Sequence, residues 1–229
     1  MDAVTPNVVF QIFGIQITDT VTSTWMIMAI MILLAWWVSK KAPVVLEMIV
    51  DFLNDSLSDV MGTDASPYVP FIGTFFLFIA AANVFSLVPG INNPARDINT
   101  PAALAITVAL SVYVFGVRSR GFLGYIKSLF EPVWFLFPFE LIGHFTRVLS
   151  LTLRLFGNVV SIELIVAIIF SLLPAILPSV MAVYGAATGL IQAYIFSVLT
   201  ASYIGAGVAV NDELAERSLD EEQANLVEA

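Results

Sequence analysis

The chain has 229 residues, of which 59% are apolar and 12% charged, with 13 Gly, 11 Pro, no Cys and a formal charge of −9. A soluble globular domain carries about 25% charge, so that class is excluded. So are a disulfide framework or thiolate metal site, disorder away from the ends and a basic nucleic-acid binder. What remains is an all-α integral membrane protein with a single membrane domain, residues 1–210, and an acidic tail, residues 211–229. The tail sets seven acids against Arg217 and is expected to be disordered and solvated. The start, with Asp2 and no basic cluster, is expected to be mature sequence rather than an export signal.

In chain order, Val21–Val38 holds eighteen uncharged residues and predicts a first crossing. Glu47, Asp51, Asp55 and Asp59 then recur every four residues, with Met48, Phe52, Leu53, Leu57, Val60 and Met61 on the remaining surface. That spacing predicts an amphipathic helix at the inner interface. Its acidic stripe is a solvated face or, more sharply, a docking face for a partner. Val69–Val88 and Pro101–Val117 predict the second and third crossings, and Tyr125–Phe137 an aromatic interfacial hairpin. Glu140–Leu173 and Ser179–Ala209 are too long for upright crossings. The expected fold therefore has about five membrane helices and one interfacial amphipathic helix, the last two crossings forming a long, steeply tilted hairpin.

Lys40 and Lys41 follow the first crossing; Arg118, Arg120 and Lys127 follow the third. The positive-inside rule then puts the N-terminus outside and the C-terminus in the cytoplasm, with Arg96 an outer exception that Asp97 can offset.

The chemistry concentrates in the fourth crossing. Glu140, His144, Arg147, Arg154, Asn158 and Ser161 are separated by steps of four, three, seven, four and three, with Leu151 the apolar member of the series. They share a face that must meet protein or water. The first three sit near the inner boundary, where snorkelling or a structural hydrogen bond is the plain reading. Arg154 lies deep in the segment, where an arginine costs about 2.5–3.5 kcal/mol or more. Glu163 cannot be its counter-charge, because nine residues of helix turn the two to opposite faces. Arg154 therefore calls for a partner on another helix or another subunit. Glu163 lies about 13 Å further along, and an aqueous cleft is the economical way to keep a carboxyl there. In the fifth crossing Gly185, Gly189 and Ala193 suit a close helix contact. Tyr184, Thr188 and Gln192 form a polar stripe, and Gln192 is expected to bond or orient the guanidinium.

Ser150-Leu-Thr-Leu-Arg154-Leu-Phe-Gly-Asn158, the later Glu163, and Gln192-Ala-Tyr-Ile-Phe-Ser-Val-Leu-Thr200 resemble subunit a of the F-type ATP synthases. The segments Asn83–Gly90 and Asp97–Thr100 are similar in style to that family, and the likeness runs from about Val8 to Ala209. The resemblance implies a stator subunit of a rotary machine in the membrane, here read as a bacterial plasma membrane. It implies two half-channels that carry protons to and from carboxylates on a ring of c subunits. In that frame Arg154 faces the ring, forces ion release and blocks leakage. Glu163 belongs to the outer half-channel, Gln192 and Asn158 neighbour the arginine, and Glu140, with His144, lies on the inner side. Implied partners are the c ring, the peripheral-stalk b subunits, other ATP synthase subunits and lipid, with no nucleic acid, cofactor or metal. Gly185 and Ser86 stand where some members carry ionisable residues, so the outer path is expected to use Glu163, Ser86, Thr188 and water. A sodium-coupled form of the same subunit is the alternative. A secondary transporter or channel subunit is a further one, though transporters usually show internal repeats. The chain has no phosphate-cradling P-loop, so it is expected to be non-catalytic by itself.

Overall fold

A computed structural model describes residues 8–12, 15–88, 90–130, 137–172 and 177–227. A small antiparallel hairpin, β1 (Val8–Ile12) and β2 (Ile15–Thr18), precedes the helical body. Six helices follow: α1 (Asp19–Lys41), α2 (Pro43–Met61), α3 (Val69–Phe85), α4 (Asn99–Phe130), α5 (Phe137–Leu172) and α6 (Leu177–Val227). A 3-10 turn, Pro94–Arg96, lies between α3 and α4. Four of the helices are long and apolar enough to cross a membrane: α1, α4, α5 and α6. The expected second crossing is present as α3 but has only 17 residues, about 26 Å at 1.5 Å per residue.

The punctuation is local. Pro43 occupies the start of α2, where its missing N–H costs nothing. Gly62, at φ 70°, ends that helix in the left-handed region that glycine alone adopts freely. Asn93 caps the 3-10 turn, its side chain accepting from the Ala95 N–H.

Three expectations are corrected here. The aromatic segment Tyr125–Phe137 is not a hairpin as far as Phe130, because α4 continues through that residue; residues 131–136 lie outside the described residues. The acidic tail is not disordered: α6 runs without a break to Val227. Its Glu, Leu, Ala, Arg and Gln residues are good helix formers, and no Gly or Pro interrupts it after Gly207. The charge of Arg96 is offset by Asp19 rather than by its neighbour Asp97.

In lipid the hydrophobic effect does not press helices together, so close packing and internal hydrogen bonds must do so. α6 is the hub and packs on α2, α3, α4 and α5. One core joins Phe75 and Ile79 of α3, Val108 of α4, Leu151, Leu155 and Val159 of α5, and Ala193 and Phe196 of α6. A second joins Leu53, Leu57 and Met61 of α2 to Ile72, Val112, Ala201 and Ile204. Leu53, Leu57 and Met61 are thus buried against protein, whereas Met48, Phe52 and Val60 remain exposed, and Glu47, Asp51, Asp55 and Asp59 stay exposed as the stripe predicts. Hydroxyls inside the apolar helices return to their own backbone; Thr152 bonds the Val148 carbonyl at 2.8 Å and Thr200 that of Phe196 at 2.8 Å.

Candidate functional site

The polar series on α5 does not behave as one stripe. Arg154 and Ser161 are exposed, Asn158 and His144 are half-buried, and Leu151 turns inward at 2% exposure. Arg147 is exposed, with its guanidinium carbon 5.0 Å from the centre of the Tyr203 ring. His144 lies against Tyr113, ring centres 5.1 Å apart. These contacts fit the structural reading of both residues near that end of α5. Glu140 falls on the backbone of α5, and its side chain lies outside the described residues.

Arg154 has no hydrogen bond or ion pair among the described residues. Its neighbours Leu149 and Leu153 are about half exposed, at 45% and 49%. A fixed charge thus stands on an apolar outer surface of the subunit. The expectation that Gln192 bonds this guanidinium is not met. Gln192 points into the packed body at 7% exposure, and its Nε2 is buried without a partner. The Nδ2 of Asn158 is buried and unpartnered as well. The reason is register: α5 presents Leu151, Leu155 and Val159 to the core, which turns Arg154 outward while Gln192 sits beside the core residue Ala193.

Glu163 is half-buried in a cavity of about 550 Å³ lined by Asn83, Ser86, Asn92, Asn93 and Arg96, with apolar walls from α5 and α6. This space lies where the sequence places Glu163 beside a cleft. Ser86 lines it, its hydroxyl donating to the Asn83 carbonyl at 2.7 Å. Thr188 does not; it donates to the Gly185 carbonyl of its own helix at 2.9 Å. Gly185 makes room for Ile162, since a Cβ there would lie 2.5 Å from Ile162 Cγ2.

Residues that the sequence reading left without a role complete the cavity. Asn83 Nδ2 donates to the Ile79 carbonyl at 2.8 Å, and its Oδ1 accepts from Asn93 Nδ2 at 3.1 Å. Arg96 Nη2 donates to Asp19 Oδ2 at 2.7 Å. The run Asn92-Asn93-Pro-Ala-Arg96-Asp97 is visibly polar in the sequence. Its partner on α1 is 77 residues away, and no local pattern points to it.

Fold and site together define a class: a multi-pass helical membrane protein with a largely apolar cavity that holds a carboxyl at one end and an exposed arginine among leucines on its outer face. Comparison with known proteins gives the family. The family model described as ATP synthase A chain matches residues 21–205. Relatives include "ATP synthase subunit a 2" of Picosynechococcus sp., 38% identical over 229 aligned residues, covering 95% of this chain and 98% of the relative. "ATP synthase subunit a" of Moorella thermoacetica is 36% identical, covering 89% and 97%. "ATP synthase subunit a 2" of Bradyrhizobium sp. is 38% identical, covering 89% and 95%. The chain belongs to the ATP synthase A chain family, as an integral membrane subunit that partners the other subunits of an F-type ATP synthase.

Proposed function

We propose that this chain is the ion-carrying stator subunit of its complex, with Arg154 facing the carboxylates of a rotating c-subunit ring. The observation that carries the reading is the Arg154 guanidinium, exposed among leucines and unpaired among the described residues. A charge in that setting is tolerated only with a counter-charge from elsewhere. Arginine suits the task because its guanidinium stays charged where other bases give up their proton.

A ring carboxylate arriving beside Arg154 is favoured in its ionised form, since opposite charges at 4 Å gain about 4 kcal/mol at an effective dielectric near 20. The carboxyl must release its ion before it passes and takes up another on the far side. The fixed charge also repels cations that would run straight from one channel to the other. The membrane potential supplies about 2.3 kcal/mol per charge per 100 mV. Protons are the transported ion in this reading. The cavity at Glu163 serves as the outer half-channel, and the end of α5 carrying Glu140 and His144 serves as the inner one. Asn158, with its unused amide donor, orients water or the arriving carboxylate beside Arg154.

Lys40 and Lys41 close α1 and Arg118 closes the apolar span of α4, which supports an outside N-terminus and a cytoplasmic C-terminus in a bacterial plasma membrane. α5, at 36 residues or about 54 Å, exceeds the roughly 30 Å hydrocarbon layer and lies steeply tilted with α6. The acidic stripe of α2 is available to the peripheral-stalk b subunits.

The test is Arg154→Lys in the whole complex, reconstituted in vesicles. The ammonium keeps the charge and loses the planar fork, and coupled transport is expected to disappear while the complex still assembles. Vesicles that synthesise ATP at the parent rate with this variant would count against the reading.

A further inference from the structure

Two opposite charges border the same cavity and are kept apart. Arg96, on the 3-10 turn, lines it together with Glu163 of α5, and the turn packs against α5. The guanidinium nevertheless bonds Asp19 on the first turn of α1, Nη2 to Oδ2 at 2.7 Å. The same Asp19 oxygen accepts from Asn92 Nδ2 at 3.0 Å. Asp97 is engaged elsewhere: its Oδ1 accepts from the Asn99 N–H at 3.1 Å and from Asn99 Nδ2 at 2.8 Å, and its Oδ2 accepts from Thr20 Oγ1 at 3.3 Å. Arg96 is 9% exposed, and its Nε is buried without a partner.

A buried arginine that loses its counter-charge is strongly disfavoured and seeks another. Among the residues lining the cavity, the carboxylate on offer is Glu163. Arg96 thus lines the cavity with Glu163 while its guanidinium is bonded to Asp19, which places the three groups next to one another in sequence of contact. A guanidinium and a carboxylate can join through two parallel hydrogen bonds, and a Glu163 held in that way is no longer free to exchange ions with water.

The geometry points to Asp19 as a positioning residue for transport: it holds Arg96 off Glu163 and so keeps the carboxylate open to the cavity. The inference rests on Glu163 being an ion-exchanging group. It gives the Arg96–Asp19 pair a role beyond tying a loop to α1, and the two roles part in a double variant. A loop tie is broken by either substitution and is not mended by both. A competitor for Glu163 is created by Asp19→Asn and removed again by Arg96→Gln.

The experiment uses the whole complex in vesicles, reading ATP-driven ion pumping and the subunit's recovery in the purified complex. Asp19→Asn is expected to lower pumping at least about tenfold. Asp19→Asn with Arg96→Gln is expected to recover to within about threefold of the parent, the pair of charges having been removed together. An Asp19→Asn complex that pumps like the parent overturns the inference. So does a double variant that stays below about a tenth of the parent, whether or not the single variant enters the complex. If the single variant fails to assemble, a pumping double variant still supports the inference. Glu163→Gln serves as the control for the underlying reading: parent-like pumping there removes the role of Glu163, whereas a defect there with no rescue by the double variant removes only the role of Asp19.

Discussion

Gly189 of α6 lies directly against the side chain of Asn83 on α3, in the space that a Cβ would fill. Asn83 cannot step aside cheaply, because its amide is bonded at both ends, to the Ile79 carbonyl and to Asn93. Close backbone approach and a satisfied buried amide are thus the same contact, and they fix α6 against the wall of the Glu163 cavity.

Gly189→Ala should therefore cost about 1–3 kcal/mol through overpacking, seen as a lower melting temperature of the purified complex. In an Asn83→Ala background the same change should cost much less, because the clashing group is gone and the two sites couple. Gly62→Ala is the contrasting case: nothing lies within 4 Å of its Cβ position, but its φ is 70°, so the cost there is one of backbone conformation, about 1 kcal/mol. Purely additive effects of Gly189→Ala and Asn83→Ala would contradict the contact.

The loop between α2 and α3 should respond to acid. Asp64 is held below the usual carboxylate range chiefly by the Ser66 hydroxyl and next by the Ser66 N–H, at 2.7 and 3.0 Å. A lowered value in the folded state means that the contribution is present above the ordinary carboxylate range and is lost as pH falls toward the folded value. Ser66 Oγ also lies 3.2 Å from Asn54 Oδ1 on α2, the alternative acceptor for its one hydroxyl proton. Ser66→Ala should move the acid midpoint for protease nicking near Asp64 to higher pH. A midpoint that stays in place would show that the hydroxyl does not hold the carboxylate.

Much of the architecture is legible in the sequence because apolar run lengths and the four-residue acid spacing are local signals. α1 and the exposed face of α2 follow from them, as does the placing of Arg154 and Glu163 on opposite sides of one helix. What is illegible is of two kinds. The first is register between helices: Gln192 lies near Arg154 in expected depth, but which of its faces meets the core is decided by Ala193 and Phe196, and that turned it inward. The second is pairing over long separations, such as Asp19 with Arg96 or Asn83 with Gly189, where each member alone is an ordinary residue. The β1–β2 hairpin had a weak signal, the alternation Phe10-Gln11-Ile12 and Ile15-Gln16-Ile17 around Gly14. The helix of the tail rests on the propensity of its Glu, Leu, Ala, Arg and Gln residues, a signal that a dense run of like charge hides.

Leu153 and Leu155 are two residues apart on α5 and face different surroundings. Leu155 is fully buried in a core with Phe75, Ala193 and Phe196, whereas Leu153, next to Arg154, is 49% exposed. Leu155→Ala should cost about 2–5 kcal/mol, the loss of packing plus the cavity left behind, and lower the thermal stability of the subunit however it is isolated. Leu153→Ala should stay within about 0.5 kcal/mol in the isolated subunit. If Arg154 faces the ring, Leu153 borders that contact, and Leu153→Trp adds bulk where a neighbouring chain must slide. That variant should leave the melting temperature of the isolated subunit unchanged while reducing recovery of the c-subunit ring with it in a pull-down. Equal recovery with and without the tryptophan would place the ring on another face of α5, and a melting temperature lowered as far as by Leu155→Ala would put Leu153 inside the fold instead of on its surface.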